Sequence, residues 1–134
     1  DTPFGGIGYH RIIDVFPSRS VGYLYCIGTR AEAGGQSLVL DEIHNYGRKD
    51  RIFMVHFRNV RGSLATAGGY EEVHLDDGDM SMFRILQALD SVGFDGCINP
   101  DHIFPIEGDG PEVSQGVAYA VGYIKALLTA LAAI

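Results

Sequence analysis

The sequence predicts an α/β fold with a parallel sheet. Three apolar, β-forming runs carry that reading: residues 21–27, 52–57 and 96–98. They alternate with segments of helical period, and such alternation builds parallel strands joined by helices. A strand buried on both faces reads as a near-continuous apolar run, and IFMVHF at 52–57 is one. Each run also gives way to polar residues at its C-terminal end, the edge at which α/β folds hold their ligands.

The elements follow in order. Residues 1–8 are rich in Gly and Pro and predict a loop. Residues 9–16 predict a short helix that stops at Pro17. The first strand is 21–27, with a loop expected over 28–35. Residues 36–46 predict a helix, because Val39, Leu40, Ile43 and Tyr46 recur at helical spacing and Gly47 follows as a stop. The second strand is 52–57. The connection 59–79 is too long for a plain turn and predicts a functional loop. Asp79 is placed to cap the next helix, where Met82, Ile85, Leu86 and Leu89 form a stripe ended by Gly93. The third strand is 96–98, followed by a Gly/Pro loop at 103–114. The last helix is 114–134, with Val121, Ile124, Leu128 and Leu131 expected on its packed face. Three strands cannot close a barrel, and an eight-stranded (β/α) barrel needs about 250 residues. With 134 residues, the chain predicts one domain of three strand–helix units. Such a domain is either the C-terminal portion of such a barrel or a small open sheet.

Composition excludes some functions. At 46% hydrophobic residues the chain can build a core. The net charge is −7, with no basic cluster longer than Arg48-Lys49-Asp50-Arg51, which argues against nucleic acid. The apolar run 126–134 is too short to cross a bilayer, and residues 1–15 lack the pattern of a signal peptide. Cys26 and Cys97 are the only cysteines and neither has a close partner in sequence. Free, buried thiols in a reducing compartment are expected, hence the cytoplasm.

The strand ends carry the chemistry. Cys26, His56 and Asp101 each follow or close one strand, and each is a plausible ligand of a divalent transition ion. Singly, each also fits a structural role: a core thiol, a satisfied histidine, a turn aspartate. Their repetition at three strand ends favours a metal site. His102, next to Asp101, is a proton-transfer candidate or a surface loop histidine. Arg58 offers a fork for a carboxylate and Asn59 a donor and an acceptor for hydroxyls, unless both serve surface pairing. His74 lies among Asp76, Asp77 and Asp79, which reads as an acidic loop with one imidazole.

VHFRNV (55–60), EEVHLDDGDMSM (71–82) and GFDGCINPDH (93–102), with YLYCIGT around Cys26 and the DTPFGGIGYHRI opening, resemble the mannonate dehydratase family. The resemblance covers nearly the whole chain and matches the C-terminal part of that family. It implies the C-terminal part of a TIM (β/α)8 barrel of the xylose-isomerase-like type. It also implies dehydration of D-mannonate to 2-keto-3-deoxy-D-gluconate with Mn2+ or Fe2+, in hexuronate breakdown. Carried over by position, Cys26, His56 and Asp101 would be metal ligands, with one further family histidine upstream of Asp1. His102 would move protons, Arg58 and Asn59 would contact the sugar acid, and His74 would lie near it. Two positions differ from the family pattern. Asn99 stands where the family usually has Arg. The segment GDGPEVSQG, with Glu112, replaces a loop Gly-Tyr-Gly, while Tyr119 and Tyr123 fall in the last helix. A barrel-type sugar isomerase or epimerase is the alternative, and Cys26 counts against it because such sites use more carboxylates. A third possibility is a non-catalytic fragment that needs a partner chain. The expected partners are a small sugar acid and either a second copy of the chain or the remaining portion of a barrel.

Overall fold

The computed structural model describes residues 6–134. Nine elements follow one another there: α1 (Gly6–Val15), β1 (Tyr23–Cys26), α2 (Ile27–Gly47), β2 (Ile52–Phe57), β3 (Val60–Gly62), β4 (Tyr70–Glu72), α3 (Met82–Ser91), β5 (Cys97–Pro100) and α4 (Ser114–Leu131). The strands β1, β2 and β5 form a sheet in chain order, and both pairings are parallel. This is the order expected from the strand–helix alternation. Of the expected N-terminal loop, residues 1–5 lie outside the described residues, while Gly6–Gly8 already belong to α1.

Period-two alternation sorts the sheet into two faces. Tyr23, Tyr25, Val55 and Phe57 are buried against the helices. Leu24, Cys26, Met54, His56, Cys97 and Asn99 alternate onto the other face, where Leu24 is 47% exposed. Cys97 is exposed, so the expectation of two buried thiols is corrected for this one. It lies on the sheet face that carries the exposed Leu24.

The expected loop 28–35 is helix. Cys26 ends β1 and is already the N-cap of α2. Gly34 and Gly35, within that expected loop, mark a kink inside α2: Gly35 takes φ 65°, which costs glycine little because it has no Cβ. The two halves are stapled across the kink by a buried ion pair. Arg30, before it, donates from Nε and Nη2 to the carboxylate of Glu42, after it, both at 2.8 Å. Tyr25 from β1 donates to the same carboxylate at 2.9 Å. Burial, then the charge of Glu42, pushes the Tyr25 phenol far above its ordinary value.

The long connection 59–79 holds the antiparallel hairpin β3–β4. Its strands are three residues each, too short for a periodic signal. Asp79 does not cap α3. Its Oδ2 accepts from the Gly62 backbone at 2.8 Å, tying the loop to the hairpin, and Ser81 is the N-cap. The packed face of α4 differs from expectation in part: Ile124 and Leu131 pack against the core as expected, and Val121 and Leu128 do not. Gly116, Ala120 and Ile124 are buried, whereas Val121 and Leu128 are 40% and 41% exposed. With Phe94, Ile98, Pro100 and Ile124, the last two line an open, mostly apolar groove of about 380 Å³ between β5 and α4. No helix among the described residues is long and apolar enough to cross a membrane.

Candidate metal centre and catalytic cleft

Three parallel strand ends converge. In the β1–β2 ladder Cys26 is the partner of His56, and in the β2–β5 ladder His56 is the partner of Asn99. Asp101 follows β5 and turns its carboxylate toward both. Its Oδ2 lies 3.9 Å from Cys26 Sγ and 3.3 Å from His56 Nδ1. All three donor atoms fall within 4.8 Å of one another. Donors at bonding distances of about 2.0–2.3 Å from one ion stand about 3.3–3.8 Å apart in a tetrahedral shell. A thiol, an imidazole and a carboxylate at these separations fit a divalent transition ion. The parallel ladder supplies this geometry, since register alone sets Cys26 beside His56. Thr29, in the first turn of α2, donates to Cys26 Sγ at 3.2 Å and orients it.

His102 stands next to the cluster, with Nε2 3.6 Å from Asp101 Oδ2. Its backbone takes φ 50°, a left-handed conformation that costs a non-glycine residue about 1–3 kcal/mol. The site therefore holds a strained residue at the position expected to move protons. Glu72, from β4, accepts from His102 Nδ1 at 2.9 Å. Sequence reasoning missed Glu72, because nothing in a three-residue strand marks it.

Arg58 does not present an open fork. It is 3% exposed and forms ion pairs with Glu32 of α2 and with Glu72, the latter at 3.3 Å. Its Nη1 also lies against the His102 ring. A side chain at Gly28 would overlap this guanidinium, so the glycine admits Arg58 beneath α2. Arg58 thus lines the cleft while paired with two protein carboxylates.

Asn59 is 1% exposed, and its amide is consumed inside the protein. Nδ2 donates to Leu75 O at 2.9 Å and Met80 O at 3.1 Å. Oδ1 accepts from Val60 N at 3.0 Å and Met80 N at 3.2 Å. Those four bonds exhaust what one amide offers. Asn59 thus clamps the connection from the wall of the cleft that it lines.

His74 lines a narrow cleft with Arg58, Asn59, Asp101, His102, Phe104 and Tyr119. Its ring meets those of Phe104 and Tyr119 edge-on at 5.7 and 5.6 Å. Tyr119 was legible only as a helical residue. Here its hydroxyl donates to Asp76 at 2.5 Å. That hydrogen bond, with burial and the Asp76 charge behind it, pushes the phenol up to about 12. Enclosed, the cleft measures about 10 Å³, room for roughly one water. Glu112 and Tyr123 are not among the residues that line it.

The family profile described as D-mannonate dehydratase (UxuA) matches residues 7–134. The chain belongs to the D-mannonate dehydratase family. It is 29% identical to a mannonate dehydratase of Lactococcus lactis subsp. cremoris, over 98% of this chain and 40% of that protein. It is 28% identical to a mannonate dehydratase of Streptococcus agalactiae serotype V, over 90% of this chain and 35% of that protein. The crystal structure of mannonate dehydratase from Streptococcus suis serotype 2 shares the fold, with a TM-score of 0.73 at 23% identity, over 95% of this chain and 38% of that one. The chain thus spans about two fifths of the length of the mannonate dehydratases it matches.

Proposed function

We propose that the whole protein is a metal-dependent hydro-lyase of sugar acids. In this reading it converts D-mannonate to 2-keto-3-deoxy-D-gluconate and water, in hexuronate breakdown. The observation that carries the reading is the convergence of Cys26, His56 and Asp101 beside His102, in a chain of this family. Cys26, His56 and Asp101 would hold the ion, Mn2+ or Fe2+. When bound, that ion supplies positive charge against the negative charge that develops on the acid as its α-proton leaves.

The reaction removes the C2 proton and expels the C3 hydroxyl as water, and the enol that remains becomes the 2-keto group. His102 carries one of these protons from Nε2, which faces the ligand cluster. His74, in the aromatic wall with Phe104 and Tyr119, contacts the sugar acid across the cleft. Arg58 and Asn59 shape this pocket from behind, through Glu72 and the 75–80 backbone.

In the same reading residues 1–134 are one domain of three strand–helix units, the C-terminal part of a TIM barrel of the xylose-isomerase-like type. The sheet face with Leu24 and Cys97 exposed and the apolar groove beside β5 support it. They would be covered by the remaining barrel portion, with homo-oligomers as a further level of assembly. A cytoplasmic location suits two free thiols. The test is 2-keto acid formation from D-mannonate by the full-length protein, with manganese and after chelation. No product from the metal-loaded protein would overturn the proposal.

A further inference from the structure

Glu72 and His102 are 30 positions apart in the chain, yet Glu72 Oε1 lies 2.9 Å from His102 Nδ1. We infer that Glu72 is a positioning residue, which turns the His102 ring and fixes its proton on Nδ1, leaving the Nε2 lone pair toward the ligand cluster. A carboxylate only accepts, so the contact requires a proton on Nδ1. Arg58 Nη1 is the competing neighbour, at 3.0 Å from Nδ1 and 3.3 Å from Nε2. The Nδ1 contact with Glu72 is the shortest of the three, at 2.9 Å, while Arg58 Nη1 is shared between the two ring nitrogens. Arg58 instead pairs with Glu72 at 3.3 Å, and with Glu32, so it holds the carboxylate that holds the ring. The Glu72 side chain is 23% exposed and that of His102 is 49% exposed, so without this partner the ring has room to turn. The left-handed backbone of His102 adds a cost that a fixed side-chain partner offsets. The hairpin β3–β4 thereby acquires a function: it delivers Glu72 to the strand ends.

The catalytic part of this inference rests on the dehydratase reading, whereas the ring orientation does not. The experiment uses full-length protein as wild type, Glu72→Gln and Glu72→Ala. The first readout is the His102 ring nitrogen shifts at one fixed pH in zinc-loaded protein, assigned by their loss in His102→Asn. The Nδ1–H tautomer should dominate in wild type, fall in Glu72→Gln and fall further in Glu72→Ala. The second readout is manganese-loaded turnover. Glu72→Ala should lower kcat about 10–100-fold, the size usual for loss of an orienting partner. KM and metal content should hold, with Glu72→Gln recovering part of the loss. Equal tautomer populations in all three proteins would overturn the inference, as would metal loss that accounts for the fall in kcat. If wild type does not dehydrate mannonate but the tautomers shift as described, the dehydratase reading fails and the positioning role stands.

Discussion

Cys26 and His56 are register partners on adjacent parallel strands, and Asp101 Oδ2 lies 3.9 Å from the first and 3.3 Å from the second. Cys97 pairs instead with Met54, further from that end of the sheet. Cys26→Ser should therefore deplete bound manganese, while Cys97→Ser should leave it unchanged. Elemental analysis of the dialysed full-length variants checks this, and equal metal content would remove Cys26 from the centre.

His102→Asn should abolish most turnover and keep the metal. Loss of a positioned acid or base costs about 10²–10⁴-fold in rate. Asparagine keeps much of the size but carries no proton. Wild-type rates would make His102 a bystander. Loss of metal would mean that Asp101 and His102 exchange roles.

Glu42→Ala should be the most damaging of these changes for stability. It removes the carboxylate that pairs with Arg30, whose side chain is 3% exposed. Breaking a buried pair from one side costs about 3–5 kcal/mol. Two tyrosines, Tyr25 and Tyr46, lose an acceptor as well. Denaturant unfolding of the full-length protein gives the number, and a cost below about 1 kcal/mol would show a pair no stronger than an exposed one.

Asn59→Ala should loosen residues 75–80 without moving the strands. It takes partners from Leu75 O, Met80 O and Met80 N, and each backbone group left buried and unpaired costs on the order of 1–3 kcal/mol. Limited proteolysis should cut this connection first, and unchanged resistance there would refute the clamp.

Asp76→Asn should lower the Tyr119 titration from about 12 toward 10. The fold favours the protonated phenol, so this contribution to stability is complete below pH 10 and is lost as pH rises through about 12. Tyrosinate absorbance, with Tyr119→Phe to identify the signal, follows the change. A titration unmoved by Asp76→Asn would show that another group sets it.

The sequence by itself determined the parallel order of β1, β2 and β5 and the meeting of Cys26, His56 and Asp101. Apolar runs, helical stripes and strand ends are local signals, and parallel register carries one strand end to the next. It also carried the family likeness, through motifs at those ends. Other features belonged to the tertiary structure alone. Gly34 and Gly35 read as loop, yet Arg30 and Glu42 hold helix on both sides of them. Arg58 and Asn59 read as binding groups, yet Glu32, Glu72 and the 75–80 backbone engage them first. Val121 and Leu128 read as the packed face of α4, which turns Gly116 and Ala120 inward instead. Glu72 and Tyr119 had no local signal, because their partners lie 30 and 43 positions away. A side chain's periodicity is written in its neighbours along the chain, but the partner that satisfies its charge or hydrogen bond is chosen only when distant segments pack.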